Sequence, residues 1–319
     1  MKILAIQNRM GIGDMVIFLP FIQEISRKFG CPISLLVKES SKADQYLKNS
    51  DYIDEIISLK REDKNRGDHD GIKGFVKLSN ELKSRKFEKV IIFNSSLRYN
   101  LICKFANIKE IYQYPLFEKK GQHVINTAKK LLKDKLNLEV NSNPVINIET
   151  EKLIRAKSNF NFEKKEKNFL LGIGGSGPSK RVPAEKFLEL IKYCKEKYDC
   201  QFFLATGKKD EEQEIKKEIL KIYKDDCISL DDLIISDILP VIKNCDLSVC
   251  NDSSFSHLSS SLNIPTIVLM CDTPLLYGNY NSNMFPILPD GVDNVTHGTN
   301  GKNKISPKKI FNKIISLIN

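Results

Sequence analysis

The strongest constraint in this sequence is a pattern that occurs twice: short apolar strands alternate with amphipathic helices, and a charged stretch separates the two runs. Lys2–Gln7 (KILAIQ) reads as a buried strand, and Val16, Leu19, Ile22, Ile25 and Phe29 then recur at helical spacing over Met15–Phe29. Further strands are expected at Ile33–Val37, Glu55–Leu59 and Lys89–Phe93. Helices are expected at Ser41–Asn49, Phe75–Lys86, Leu97–Asn107 and Val124–Leu136, and the polar, Gly-rich Gly67–Gly74 reads as a loop. Residues 151–168 (EKLIRAKSNFNFEKKEKN) are dominated by charge, and the alternation restarts after them. Strands at Phe169–Ile173, Gln201–Ala205, Ile228–Leu230, Leu247–Cys250 and Thr266–Met270 alternate with helices at Ala184–Tyr198, Asp210–Tyr223, Ile234–Lys243 and Phe255–Leu262. Lys308–Ile318 reads as a closing amphipathic helix. Alternation of this kind implies parallel sheets covered on both faces. The expected fold is α/β: two doubly wound, Rossmann-like domains, 1–158 and 159–319, facing a central cleft.

Length agrees, since 319 residues correspond to about two domains at ~150 residues each. No apolar stretch approaches the ~20 residues that span a bilayer, and Met1–Ile6 is too short for a signal peptide, so a cytoplasmic protein without a transmembrane segment is expected. The eight cysteines are dispersed without a C-x-x-C pair, and the histidines are unclustered, which suggests neither a disulfide frame nor a metal site. The net charge of +10 is uneven: residues 1–150 hold 26 Lys and Arg against 18 Asp and Glu, the remainder 24 against 22. A basic excess speaks to an anionic partner or to plain solvated surface, not to the fold. No finger, basic zipper or RNP-like stretch points to nucleic acid.

Ligands of open α/β sheets bind beyond the carboxyl ends of the strands, so the loops there matter most. Four carry chemical signals. The first, Arg9-Met10-Gly11-Ile12-Gly13-Asp14-Met15, resembles a dinucleotide fingerprint, but Val16 stands at its third glycine. Asp14 at the helix start is either a cap or a catalytic carboxylate. The second, Gly172 to Arg181, is a Gly/Ser loop ending in Lys180 and Arg181. It lacks the Gly before the Lys and the Ser/Thr after it that a P-loop needs, and is a pyrophosphate cradle or a solvated turn. The third, Cys250-Asn251-Asp252-Ser253-Ser254-Phe255-Ser256-His257, puts small residues at a helix N-terminus, which suits a phosphate; His257 there is a ligand contact or a structural hydrogen-bonder. In the fourth, Phe93-Asn94-Ser95-Ser96-Leu97-Arg98-Tyr99, Arg98 either meets an anionic acceptor or is an exposed helix arginine.

Taken in order, these segments resemble the heptosyltransferase-type glycosyltransferases, family nine of the GT-B fold. Gly11-Ile12-Gly13-Asp14-Met15-Val16-Ile17-Phe18-Leu19-Pro20 resembles the family's G-D-hydrophobic-hydrophobic-x-x-x-P segment, and Phe87 to Arg98 its Y-D-hydrophobic-D-x-Q-G-x-x-R segment. Lys180-Arg181-Val182-Pro183-Ala184-Glu185-Lys186-Phe187 resembles K-R-W-P-x-E-x-F, and Asp252 to Thr266 resembles D-T-G-x-x-H-x-A-A-A-L-x-x-P-T. The resemblance implies an inverting, metal-independent transfer of a sugar, heptose from ADP-heptose, onto lipopolysaccharide core or a related glycan. No cofactor is implied beyond the nucleotide-sugar donor. The first domain would bind the acceptor, an anionic glycolipid at the cytoplasmic face of the inner membrane, through Arg9, Asn94 and Arg98. The second would bind the donor through Ser176, Lys180, Arg181, Thr206, Glu211, Glu212, Asp252, Ser253, Ser254 and His257, with Gly13 completing the set from the first domain. Asp14 matches the general base and Lys180 the cation that stabilises the leaving diphosphate. Ser253-Ser254 in place of Thr-Gly, Val182 in place of Trp and Asn94 in place of an acid leave the donor sugar and the acceptor open. A transferase using another nucleotide sugar, a nucleotide-sugar epimerase, an NAD-dependent oxidoreductase and a non-catalytic binding protein of the same fold are the alternatives.

Overall fold

The structure is a computed structural model that describes residues 1–62, 67–116 and 124–318. It divides into two compact units, Met1–Pro144 and Val145–Asn319. The first contains, in chain order, β1 (Ile3–Gln7), α1 (Ile12–Phe29), β2 (Ile33–Lys38), α2 (Asp44–Leu47), β3 (Ile53–Leu59), α3 (Gly71–Arg85), β4 (Lys89–Ile92), α4 (Leu97–Phe105), β5 (Glu110–Gln113) and α5 (Val124–Leu136). Its sheet runs β3-β2-β1-β4-β5, every neighbouring pair parallel. β1 and β2 are apolar almost throughout because helices cover both faces. On one side Leu78 and Leu82 of α3 and Tyr99, Ile102 and Cys103 of α4 pack on Leu4, Ile6, Val90 and Ile92. α1 carries a second buried apolar row, in which Phe18 meets Phe93 with ring centroids 5.0 Å apart. Each such side chain contributes about 1.5–3 kcal/mol by leaving water, so these apolar runs hold the layers together and the loops are free to vary.

The second unit contains α6 (Thr150–Asn159), β6 (Lys167–Gly172), α7 (Ala184–Lys197), β7 (Cys200–Ala205), α8 (Asp210–Tyr223), β8 (Cys227–Ser229), α9 (Ile235–Lys243), β9 (Leu247–Asn251), α10 (Ser254–Ser261), β10 (Thr266–Leu269), β11 (Met284–Ile287) and α11 (Pro307–Ile318). Its sheet is again wholly parallel, in the order β11-β10-β9-β6-β7-β8. In each sheet the chain winds outward on one side and then returns to wind outward on the other. The reversal lies between β1 and β4 in the first unit and between β6 and β9 in the second. The four loops singled out above follow these four strands, so all four stand at a topological switch point.

The structure corrects the sequence reading in four places. The boundary falls at 144/145 rather than at 158/159, because the charged segment is helical and belongs to the second unit. The Ile146 N–H donates to the Ser261 carbonyl at 2.9 Å, and Asn244 Nδ2 of the α9 C-cap donates to the Leu153 carbonyl at 3.1 Å. α3 begins at Gly71, inside the expected loop. Gly74 is a contact glycine in a helix: a Cβ there would stand 2.2 Å from the His69 carbonyl carbon. The helix expected over Ser41–Asn49 is a 3-10 turn at Glu39–Ser41 followed by the short α2. Edge strands β5 and β11 were not expected at all.

Candidate functional site

In the first unit the chain leaves β1 at Gln7 and enters α1 through Gly11, whose φ of 99° is open to glycine and strained for other residues. Gly11 occupies the capping position, which places Gly13 and Asp14 in the first helical turn, where a carboxylate complements the helix N-terminus. Arg9 Nε donates to Asp14 Oδ1 at 3.0 Å. Val16, at the third-glycine position of a dinucleotide fingerprint, is fully buried. Across the switch point, Asn94 Oδ1 accepts the Ser96 N–H at 2.9 Å and shapes the entry to α4. Arg98 is turned to the protein itself. Its guanidinium donates to the carbonyls of His69 (2.8 Å) and Gly71 (2.9 Å) and lies over the Phe75 ring. Burial and the nearby Arg61 charge lower its pKa. Arg98 is thus a half-buried brace for the turn into α3, and not the exposed helix arginine that was the alternative to an acceptor contact.

In the second unit the loop after β6 folds back under the end of β9. Asn251 Nδ2 donates to the carbonyls of Ile173 (2.8 Å) and Gly174 (3.2 Å), while its Oδ1 accepts the Val182 N–H at 3.3 Å. One buried amide thus ties both ends of the Gly/Ser loop. Glu212, also buried, accepts the Gly175 N–H at 2.9 Å, and a Cβ on Gly174 would stand 2.6 Å from its Oε1. Exposed Glu211 pairs with the buried Arg181 guanidinium. Ser176 is exposed on the loop. Lys180 Nζ lies 2.9 Å from Asp252 Oδ2. Burial pushes the Asp252 carboxyl up, but the Lys180 charge, His257 and the Thr273 hydroxyl together outweigh it and hold the pKa below the usual range. Ser253 stands at the N-cap position of α10 without a side-chain capping bond, and Ser254 is the first residue of the helix. His257 is buried on the next turn, its Nδ1 2.8 Å from the Tyr280 hydroxyl and the two rings stacked. Burial, with Lys180 adding to it and Asp252 opposing, lowers its pKa to about 4, so the ring is neutral near pH 7.

Seven buried polar side-chain atoms in this unit have no hydrogen-bond partner among the described residues, and three of them, Arg181 Nη1, Thr206 Oγ1 and Ser253 Oγ, lie at the end of the Gly/Ser loop, just after β7 and at the start of α10. Buried polar groups are nearly always paired, so these three atoms retain unused hydrogen-bonding capacity. Thr206 and Arg181 both border the Gly174–Gly175 backbone. Among the described residues no cluster of three or more His, Cys, Asp or Glu is placed to hold a metal ion. Sequence reasoning passed over Gln7, Gln113, Asn251 and Tyr280. Gln113 Nε2 donates to the Asn94 and Ser96 carbonyls (3.0 and 2.9 Å), and the Gln7 amide Oε1 accepts the Arg9 N–H at 2.7 Å. An uncharged polar residue ending an apolar strand was the available signal for Gln7, Gln113 and Asn251. Tyr280 lies in a loop and carried none.

Two wholly parallel α/β units, each with polar loops gathered at its switch point, define a GT-B fold. A protein from Veillonella parvula of glycosyl transferase family 9 superposes with a TM-score of 0.80 at 18% identity, over 99% of this chain and 97% of that one. The ADP-heptose lipopolysaccharide heptosyltransferase II of E. coli superposes with a TM-score of 0.75 at 17% identity, over 100% and 98%. The sequence profile of glycosyltransferase family 9 (heptosyltransferase) matches residues 75–313, and the chain belongs to that enzyme family. Lipopolysaccharide heptosyltransferase 1 of Campylobacter coli is 30% identical over 143 residues; that match takes in 42% of this chain and spans 41% of the relative's length.

Proposed function

We propose that the chain is an inverting sugar transferase that moves heptose from ADP-heptose onto a lipopolysaccharide core or related anionic glycan. Family membership supports the transfer, and the E. coli and Campylobacter coli relatives support the donor and acceptor class. The observation that carries the reading is the set of buried, unpartnered donors around the Lys180–Asp252 pair, which matches the needs of a sugar diphosphate.

Asp14 acts as general base. The acceptor hydroxyl oxygen forms its bond to the anomeric carbon as the bond to the diphosphate breaks, and the hydroxyl proton passes to the Asp14 carboxylate. Negative charge grows on the departing diphosphate. Lys180, Arg181 and the N–H groups that open α10 behind Ser253 and Ser254 meet that charge, the task a divalent cation performs in other transferases. Asp252 takes hydroxyls of the donor sugar once Lys180 turns to phosphate. Glu212 holds the loop by accepting the Gly175 N–H, with Glu211, Thr206, Ser176 and His257 completing the donor contacts and Gly13 lying beside the base. Arg9 orients Asp14 and, with Asn94, receives the acceptor. The first unit is the acceptor side and the second the donor side. A melting-temperature panel of ADP, UDP, GDP, CMP, dTDP and NAD tests this, because a ligand bound only by the folded state raises its stability. ADP gives the largest rise. A larger rise with another nucleoside diphosphate changes the donor, and a rise with NAD alone overturns the transferase reading.

A further inference from the structure

The outer face of α3 and α4 has a composition that the sugar-transfer reading leaves unused. Ile72 and Val76 on α3 are 85% and 51% exposed, and Leu97, Leu101 and Phe105 on α4 are 40%, 36% and 65% exposed. Spacing of four places Ile72 with Val76 in one row, and Leu97, Leu101 and Phe105 in another. The two helices pack side by side, and the Phe75 and Phe105 rings meet edge to face at 5.3 Å, which joins the rows. The exposed large apolar side chains of the second unit, Ile154, Ile222 and Ile234, lie on or beside three separate helices instead. A clustered apolar surface of this kind on a folded protein marks an interaction site.

Charge identifies the partner. Exposed Lys73 on α3 and Lys104 on α4 stand among these apolar side chains, in the half of the chain that holds the basic excess, whereas Lys77 is already paired with Asp68 at 2.7 Å. A second copy docked on this face would bring two lysine-bearing surfaces together. An anionic bilayer satisfies both halves of the pattern: the apolar side chains enter the boundary between headgroups and acyl chains, and the lysine stems run along it to reach lipid phosphates. No described helix is long and apolar enough to cross a membrane, so the contact is peripheral. We propose that the outer face of α3 and α4 docks this enzyme on an anionic lipid surface. The proposal deepens the acceptor role read for the first unit, and its test uses neither nucleotide nor sugar, so its failure would leave sugar transfer standing.

The test is co-sedimentation of the full chain with vesicles of phosphatidylethanolamine and phosphatidylglycerol, against vesicles of phosphatidylcholine alone. Wild type is expected to bind the anionic vesicles at least about tenfold better, and to lose that preference as salt is raised. Ile72→Glu with Val76→Glu abolishes binding. Lys73→Gln with Lys104→Gln, a pair that leaves the apolar rows intact, weakens it roughly fivefold per lysine. Ile222→Glu on α8 binds as wild type, and circular dichroism confirms that each variant is folded. Equal binding to both vesicle types would overturn the proposal, as would wild-type binding by the apolar double variant. A dimer seen by light scattering without vesicles, and dissociated by Ile72→Glu with Val76→Glu, would assign the face to a second copy and overturn it too.

Discussion

After β1, Arg9 and Asp14 form an ion pair whose side chains remain 42% and 24% exposed; Lys180, from the loop after β6, pairs with Asp252 after β9, and those side chains remain 23% and 4% exposed. The two loops hold equivalent places in sheets of the same plan. The difference lies in what surrounds them. The first pair stands at an open helix start. The second is roofed by the Gly/Ser loop that Asn251 and Glu212 tie down, with Arg181 and His257 buried around it. A water-exposed pair exchanges partners at little cost, which suits a group that must receive a proton from a bulky acceptor. A buried pair with unsatisfied donors nearby is set in advance for one compact, highly charged ligand, because its electrostatics act through less water.

This contrast can be broken from either side. The largest effect is expected for Asp14→Asn, which removes the base and keeps the shape. Turnover falls by about 10²–10⁴-fold while ADP affinity, read by calorimetry, stays as in wild type. Unchanged turnover would return Asp14 to a purely structural role at the helix start. Lys180→Ala is expected to act through binding and stability together. It leaves Asp252 buried without its countercharge, lowers stability by about 1–3 kcal/mol in denaturant titrations, and weakens ADP binding. Arg9→Ala breaks the exposed pair and costs less than about 1 kcal/mol; equal losses in the two variants would erase the distinction drawn here.

A further effect appears only in acid. His257 has a pKa of about 4 in the folded protein, below its ordinary value, so the unfolded chain takes up the proton first as the pH falls. Its contribution to stability is therefore full above about pH 6.5 and is lost as pH falls from there through about 4. His257→Gln, which cannot charge, should lose about 2–3 kcal/mol less than wild type between about pH 7.5 and about pH 4.5, read from denaturant midpoints.

Much of this protein was legible because burial writes itself into sequence. β1, β4, β6, β7 and β9 are covered on both faces and so appear as apolar runs, and the loops after β1, β4, β6 and β9 then had to lie at the carboxyl edges of two sheets. β5 (EIYQ) and β11 (MFPI) are edge strands, half-exposed for most of their length and, in β11, interrupted by Pro286; they show no such run. α6 buries only Ala156 and therefore resembled a charged linker. Gly74 resembled a loop residue because spacing cannot tell a flexible glycine from one that lets His69 approach.

The sequence by itself determined the alternation, the parallel sheets and the four polar loops, since these follow from local periodicity and from which residues must avoid water. Tertiary structure alone decided what those loop residues do to one another. Whether Arg98 faces a ligand or the carbonyls of His69 and Gly71, whether Glu211 or Glu212 supports the Gly/Ser loop, and that His257 rests on Tyr280 all depend on contacts between segments distant in the chain. Hydrogen-bond partners and local dielectric are properties of the folded neighbourhood, and no single stretch of sequence contains them.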